Sequence, residues 1–287
     1  MHATWLPAAA LLFNAFTWGV SWWPLRQLQA LGLHPLWATV VIYLLAVAVI
    51  TAWRPRAWLE LARAPALWVL VLASGTTNAT FNWGVTVGDV VRVVLLFYLM
   101  PLWAVLLARV VLGEPLTLAA LARVGMALLG AAIVLWPEDA GLPLPRTLAE
   151  WLGVLGGFTF ALNNVMLRRE AARPEAARAL AMFLGGALVA GAAGLALQSQ
   201  GLIPGLPASA PAWMLGVLGL SLVYLCSNAA LQYGAARLRA NVTAVIMISE
   251  VLFASVSAAL FGAGLITWPL ALGGALIVSA TLLSVRE

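Results

Sequence analysis

Asn78-Ala79-Thr80-Phe81-Asn82-Trp83-Gly84 and Asn228-Ala229-Ala230-Leu231-Gln232-Tyr233-Gly234 share one pattern, N-A-x-x-[NQ]-[WY]-G, at an offset of 150 residues. Chance matches among apolar residues are common in an apolar chain; amides, a ring and a glycine in fixed order are not. The same offset pairs Leu102-Trp103-Ala104 with Leu252-Phe253-Ala254, Ala108 with Ala258 and Thr117 with Thr267. An offset of 142 pairs Phe16-Thr17-Trp18 with Phe158-Thr159-Phe160, and Leu25-Arg26 with Leu167-Arg168. The two offsets are reconciled by connections of different length, so the chain reads as a tandem repeat.

The repeat lies in a membrane-like composition. Of 287 residues 64% are hydrophobic and only 9% charged, with a mean hydropathy of +1.01, where soluble domains run at roughly a quarter charged. Ten apolar runs stand between polar breaks: Trp5–Pro24, Pro35–Trp53, Pro65–Val85, Val90–Ala108, Leu116–Trp136, Leu148–Leu167, Ala177–Leu197, Pro211–Gly234, Ala240–Phe261 and Trp268–Val285. At about 20 residues a span they leave no room for a sizeable soluble domain. Several begin with proline, whose missing N–H costs nothing in a first helical turn. The expected fold is an all-α integral membrane protein: ten transmembrane helices as two five-helix repeats, residues 1–137 and 138–287. Five is odd, so the second copy enters the membrane inverted relative to the first. Inverted repeats are a building principle of secondary transporters, with the substrate near the midplane between the copies.

Arginine placement sets the expected orientation. With the N-terminus inside, the inner side holds Arg54, Arg56, Arg63, Arg109, Arg123, Arg168, Arg169, Arg173, Arg178, Arg237, Arg239 and Arg286, and the outer side Arg26, Arg92 and Arg146. This bias puts both termini in the cytoplasm. The first span lacks a basic leader and a small-residue cleavage site, and it has an internal counterpart, so it reads as a helix that stays. Trp5, Trp37, Trp53, Trp58, Trp136, Trp151, Trp213 and Trp268 fall at span ends, as an interfacial belt does.

Composition also excludes. The net charge of +5 comes from arginines scattered singly or in pairs, with no basic face for nucleic acid. Cys226 is the sole cysteine and lysine is absent, which rules out an internal disulfide and Schiff-base cofactors. There is no Walker A or HExxH motif, His2 and His34 lie outside the spans, and Asp89 and Asp139 are isolated at connections. Neither cofactor nor metal is expected; the expected partners are a small-molecule substrate and the lipid bilayer.

Polar residues within spans are costly and tend to face the bundle interior. Asn78 and Asn82 share one helix face, as do Tyr224, Asn228 and Gln232 in the repeat mate. Their amides suit a zwitterionic solute, or alternatively tie helices together. Asn14, Trp18, Ser21 and Trp22 form a stripe on the first span, answered by Phe160, Asn163 and Asn164 on the sixth. Aromatic walls with a few polar groups are what a small-molecule pocket looks like. Glu250, the one carboxyl near mid-span, is a candidate proton site or a helix tie. Pro101 removes a backbone bond from the fourth span, with Tyr98 one turn earlier on the same side, and is a candidate hinge or a static kink. The GxxxG pair Gly153/Gly157 and the pair Ala187/Gly191 read as close helix packing.

Trp18-Gly19-x-Ser21, Pro101 with Gly113-Glu114, and Glu250 resemble the EamA-type members of the drug/metabolite transporter superfamily, over essentially the whole chain. Within it the chain is most similar to bacterial aromatic amino-acid exporters. The resemblance implies a multi-pass protein of the bacterial inner membrane. It also implies export of small amphipathic metabolites, foremost amino acids, by secondary active or facilitated transport. Two departures stand out. Glu250-Val251 replaces a family Glu-Pro, so a proline kink is expected only at Pro101. Ala263-Gly264 stands where the first repeat has Gly113-Glu114, so the halves are expected to move differently. A same-fold carrier of a drug, nucleoside or other amino acid, a channel, and a non-transporting scaffold or enzyme remain as alternatives.

Overall fold

The computed structural model describes residues 5–87, 90–136, 145–208, 211–261 and 268–285, and every regular element in them is a helix. His2, Asp89, Asp139, Ala263-Gly264, Thr267 and Arg286, named above, lie outside the described residues. The helices are α1 (Trp5–Val20), α2 (Trp22–Ala30), α3 (Pro35–Trp53), α4 (Arg56–Arg63), α5 (Pro65–Val87), α6 (Val90–Phe97), α7 (Met100–Leu107), α8 (Leu118–Leu135), α9 (Leu148–Arg169), α10 (Glu175–Ser199), α11 (Pro211–Arg237), α12 (Ala240–Met247), α13 (Glu250–Leu260) and α14 (Trp268–Val285). A wide helical turn, Ala108–Leu112, closes α7 at Gly113, whose φ of +68° only glycine adopts freely. Thr147 and Glu150 form a reciprocal capping box on α9, and the Thr117 hydroxyl accepts the Ala120 N–H at 3.1 Å to start α8.

Length and hydropathy alone return fewer spans than ten. Six helical segments qualify, or seven when α4 and α5, bent by 100°, count as one. The shortfall has a physical pattern. The first span is interrupted at Ser21, leaving α1 with 16 residues. α9 carries Glu150, Asn163 and Asn164 within its length, and α5 qualifies only together with α4. The helices that fall short through polarity or interruption all line the cavity described below, together with several that qualify. α4, a short helix rich in arginine, is an element the apolar pattern gave no sign of. Around the bundle, large apolar side chains such as Leu72, Val110, Leu118, Leu195, Leu215 and Trp268 stand exposed, a surface suited to lipid. Trp37 and Trp213 depart from the expected belt. Both are buried, and their indole N–H groups donate to the carbonyls of Pro204 (3.0 Å) and Ala208 (3.1 Å).

Packing is reciprocal. α5 packs on α9 and α10, as α11 packs on α1 and α3; α9 also meets α6 and α7, as α1 meets α12 and α13. α8 and α14 pair with each other, and so do α3 and α10. Glycines permit the closest approaches. A Cβ on Gly153 would lie 2.6 Å from the Val93 carbonyl oxygen, and Gly157 one turn on abuts the Phe97 carbonyl, so this GxxxG seats α6. Gly130 and Gly273 likewise meet where α8 crosses α14. On α10 the tight contacts fall at Gly185, against the Val71 backbone, and Gly186, against the Tyr43 ring. Gly191 leaves a Cβ in ordinary contact with Val40 at 3.7 Å, so the expected Ala187/Gly191 seam is looser at Gly191 than the contacts at Gly185 and Gly186.

Candidate functional site

A cavity of about 680 Å³ lies among α1, α3, α5, α9, α10, α11 and the two interrupted spans α6–α7 and α12–α13. Arg26, Gln29, Pro35 and Leu135 line one end of it, where α2 leaves α1, α3 begins and α8 stops. From there it runs inward to Asn228, Leu231 and Glu250. Beyond Leu231, α1 and α11 close on each other: a Cβ on Gly234 would sit 2.5 Å from Leu11 Cγ and 2.8 Å from the Pro7 carbonyl oxygen.

Of the residues singled out from sequence, Asn14, Trp18, Ser21, Trp22, Asn78, Asn82, Tyr98, Phe160, Asn163, Tyr224, Asn228 and Glu250 line this cavity. Asn164 and Gln232 do not, although both are buried. Pro101 sits buried in the first turn of α7 behind the lining. Tyr43, Met182 and Phe183 line it too, and the sequence reading passed over them and their helices, α3 and α10. The signal was available for Tyr43: of four tyrosines, three fall well inside apolar runs, and all three (Tyr43, Tyr98 and Tyr224) reach the cavity.

The aromatic wall is continuous. Trp18 stacks on Tyr224 with centroids 4.8 Å apart, and Tyr43 meets both Tyr224 (6.5 Å) and Phe183 (5.1 Å) edge-on. On the other side Phe97 contacts Phe81 at 5.0 Å and Phe160 at 5.8 Å. The amides divide into two groups. Asn78 accepts from the Tyr43 hydroxyl (2.9 Å) and donates to the Ser74 carbonyl (2.9 Å); Asn82 donates to Thr39 Oγ1 at 2.9 Å. Asn228 donates to Met182 Sδ (3.2 Å) and accepts from Gln232 (2.7 Å). These bonds stitch α5 to α3 and α11 to α10. Both amide atoms of Asn163, by contrast, are unpartnered, as is Asn14 Oδ1, while the Tyr224 hydroxyl lies within hydrogen-bonding reach of Ser21. Tyr98 lies in the gap between α6 and α7 and Glu250 follows the gap between α12 and α13; the two side chains come within interacting distance.

A lipid-clad helical bundle around a cavity of this size, walled by rings and amides, has the build of a multi-pass membrane transporter of small solutes. Residues 5–136 match the EamA-like transporter family. A solved crystal structure shares the fold across both parts of the chain, with a TM-score of 0.76 at 19% identity over 96% of this chain and 95% of that one. No curated protein matches the sequence.

Proposed function

We propose that the protein is a secondary carrier that exports small amphipathic metabolites, foremost amino acids with aromatic or bulky apolar side chains, across the bacterial inner membrane. The observation that carries this is the cavity itself: aromatic and amide groups from residues before and after 137 surround one space about the size of a small-molecule site. Two inverted halves, 1–137 and 138–287, ten spans and cytoplasmic termini complete the reading. In support of the halves, exchanging α1, α3, α5, α6–α7 and α8 with α9, α10, α11, α12–α13 and α14 carries the α5–α9 and α5–α10 contacts into α11–α1 and α11–α3, and the α9 contacts with α6 and α7 into those of α1 with α12 and α13. The α9–α11, α9–α12 and α8–α12 contacts belong to one side alone. In support of the orientation, the arginine-poor end is the one that carries Arg26 and the Arg92–Glu150 ion pair (2.7 Å). Transport then proceeds by closing the Arg26 end and opening the other. Glu250 is the proton site, if a proton moves in exchange.

Labelled-phenylalanine counterflow in proteoliposomes, competed by a panel of unlabelled amino acids, tests this. Saturable exchange blocked best by aromatic competitors supports the carrier and its substrate class. Exchange blocked only by other solutes keeps the carrier and removes the aromatic preference, and leak without counterflow indicates a channel. Glu250→Gln abolishes any dependence on a pH gradient; a variant that keeps it removes Glu250 from the proton path.

A further inference from the structure

We infer that the end of the substrate this cavity recognises is a protonated amine, and that a carboxylate on the substrate is dispensable; the inference rests on the transport reading above and narrows its chemistry. The argument starts from which polar atoms are free. Asn78, Asn82 and Asn228 are engaged with neighbouring helices. Asn14 Oδ1 and both amide atoms of Asn163 are left without a partner, each on a cavity-lining residue only 1% exposed. Buried polar atoms are rarely left so, and a bound ligand is one way to satisfy them. The orientation of Asn14 is fixed by chemistry. Its amide nitrogen sits 2.9 Å from the Ser227 carbonyl oxygen, which can only accept, so the atom offered to the cavity is the carbonyl oxygen.

Charge points the same way. The charged residues lining the cavity are Glu250 and Arg26. Arg26 is exposed at the cavity's end, its guanidinium 5.3 Å from the Trp22 ring. Among the described residues no cation pairs with Glu250. A substrate carboxylate carried inward would meet Glu250 with no fixed positive charge to receive it, at a cost of several kcal/mol or more. An ammonium has three donors and no acceptor. It matches Asn14 Oδ1, a carbonyl of Asn163 and the Glu250 carboxylate. Trp18, one turn from Asn14 on α1, adds a ring face stacked on Tyr224, suited to cation–π attraction. Gly19 brings α1 against Glu250: a Cβ there would lie 2.8 Å from the Glu250 carbonyl oxygen. Acceptors, carboxylate and ring are thus gathered on adjoining turns.

Three probes sharing one phenyl body separate the ends: 2-phenylethylamine, phenylalanine and 3-phenylpropionate, titrated calorimetrically into the full chain in detergent micelles. The amine is expected to bind within about threefold of phenylalanine, and 3-phenylpropionate about tenfold or more weaker. Glu250→Gln is expected to weaken the amine about tenfold, with unchanged chromatographic behaviour. Equal or tighter binding of 3-phenylpropionate overturns the proposal, as does a failure of the amine to bind. An amine preference that survives Glu250→Gln removes Glu250 from the site. Counterflow with the same probes distinguishes this from the transport reading: an amine that binds but never crosses the vesicle membrane sinks transport and leaves the recognition standing.

Discussion

The interrupted spans α6–α7 and α12–α13 break in the same register, at residues 98–99 and 248–249, for different local reasons. Pro101 has no N–H, so the Phe97 carbonyl loses its helical donor. Val251 keeps its N–H yet bonds three residues back, to the Ile248 carbonyl at 3.0 Å, while the Ser249 hydroxyl donates to the Ile246 carbonyl at 2.7 Å. A proline is present at the first break alone, as the sequence leads one to expect, yet the second span breaks as well, without one. What the two share is their seat. Phe97 rests against Gly157 of α9, and Glu250 and Phe253 rest against Gly19 of α1, so each span is seated on a glycine of a helix distant in sequence. Position in the bundle, more than local composition, places the break.

The largest effects should come from those seats. Gly157→Leu and Gly19→Leu each drive a side chain into a partner's backbone, where overpacking alone costs about 1–3 kcal/mol. Both variants are expected to lose most monodisperse protein on size-exclusion chromatography. Tolerance of one and not the other would show that the two breaks are seated differently.

A second pair of regions differs in accessibility. Asn82 lines the cavity and its repeat mate Gln232 does not; Trp22 lines it and its mate Asn164 does not. Gln232 Oε1 and both Asn164 amide atoms are buried without partners. Polar atoms stranded beyond the cavity's inner end are what the closed half of an alternating path would contain. With Cys226, exposed on α11, first changed to alanine, Asn82→Cys should react with an impermeant thiol reagent from the Arg26 side. Gln232→Cys should react about tenfold more slowly from that side, and from the opposite side only during substrate exchange. Labelling of Gln232→Cys from the Arg26 side at the Asn82→Cys rate would break the assignment of halves.

Sequence periodicity placed most helices because apolar runs bounded by proline and arginine leave few choices: α3 and α14 begin and end where the runs do. It read the first span, Trp5–Pro24, as one unbroken run because nothing local marks Ser21 as an interruption, and it missed α4, which is too short and charged to look like a span. Within the site, residue type identified the polar positions but not which of their atoms are free. Asn78 and Asn163 look alike in a sequence; only the neighbouring helices decide that one is bonded to Tyr43 of α3 and the other is left unpartnered. Removing the local causes of the breaks tests the same division between local and tertiary control. Pro101→Ala and Ser249→Ala are each expected to leave the protein folded and to lower counterflow by about threefold, under 1 kcal/mol. A loss of folding in Ser249→Ala alone would return the second break to local chemistry.

The smallest contrast lies where repeat-mate helices begin. At the start of α3, His34 Nδ1 accepts the Leu36 N–H at 3.3 Å, whereas α10 begins after Pro174 with no side-chain cap and has Glu175 in its first turn. His34 lies outside the spans, and burial lowers its pKa from the usual 6.5, which keeps the ring neutral and its lone pair available. A histidine depressed in the folded state disfavours protonation there, so its contribution is present above the unfolded value and lost as pH falls through the lower folded one. His34→Ala should cost about 0.5–1 kcal/mol at pH 7.5, and the gap between wild type and variant should narrow below about pH 6. Glu175→Ala, which removes a favourable charge at a helix start and near the buried Arg178, should cost about 0.3–1 kcal/mol. Thermal unfolding of all three proteins across this pH range decides it, because a wild-type-to-variant gap independent of pH would mean that His34 does not cap α3 through its neutral ring.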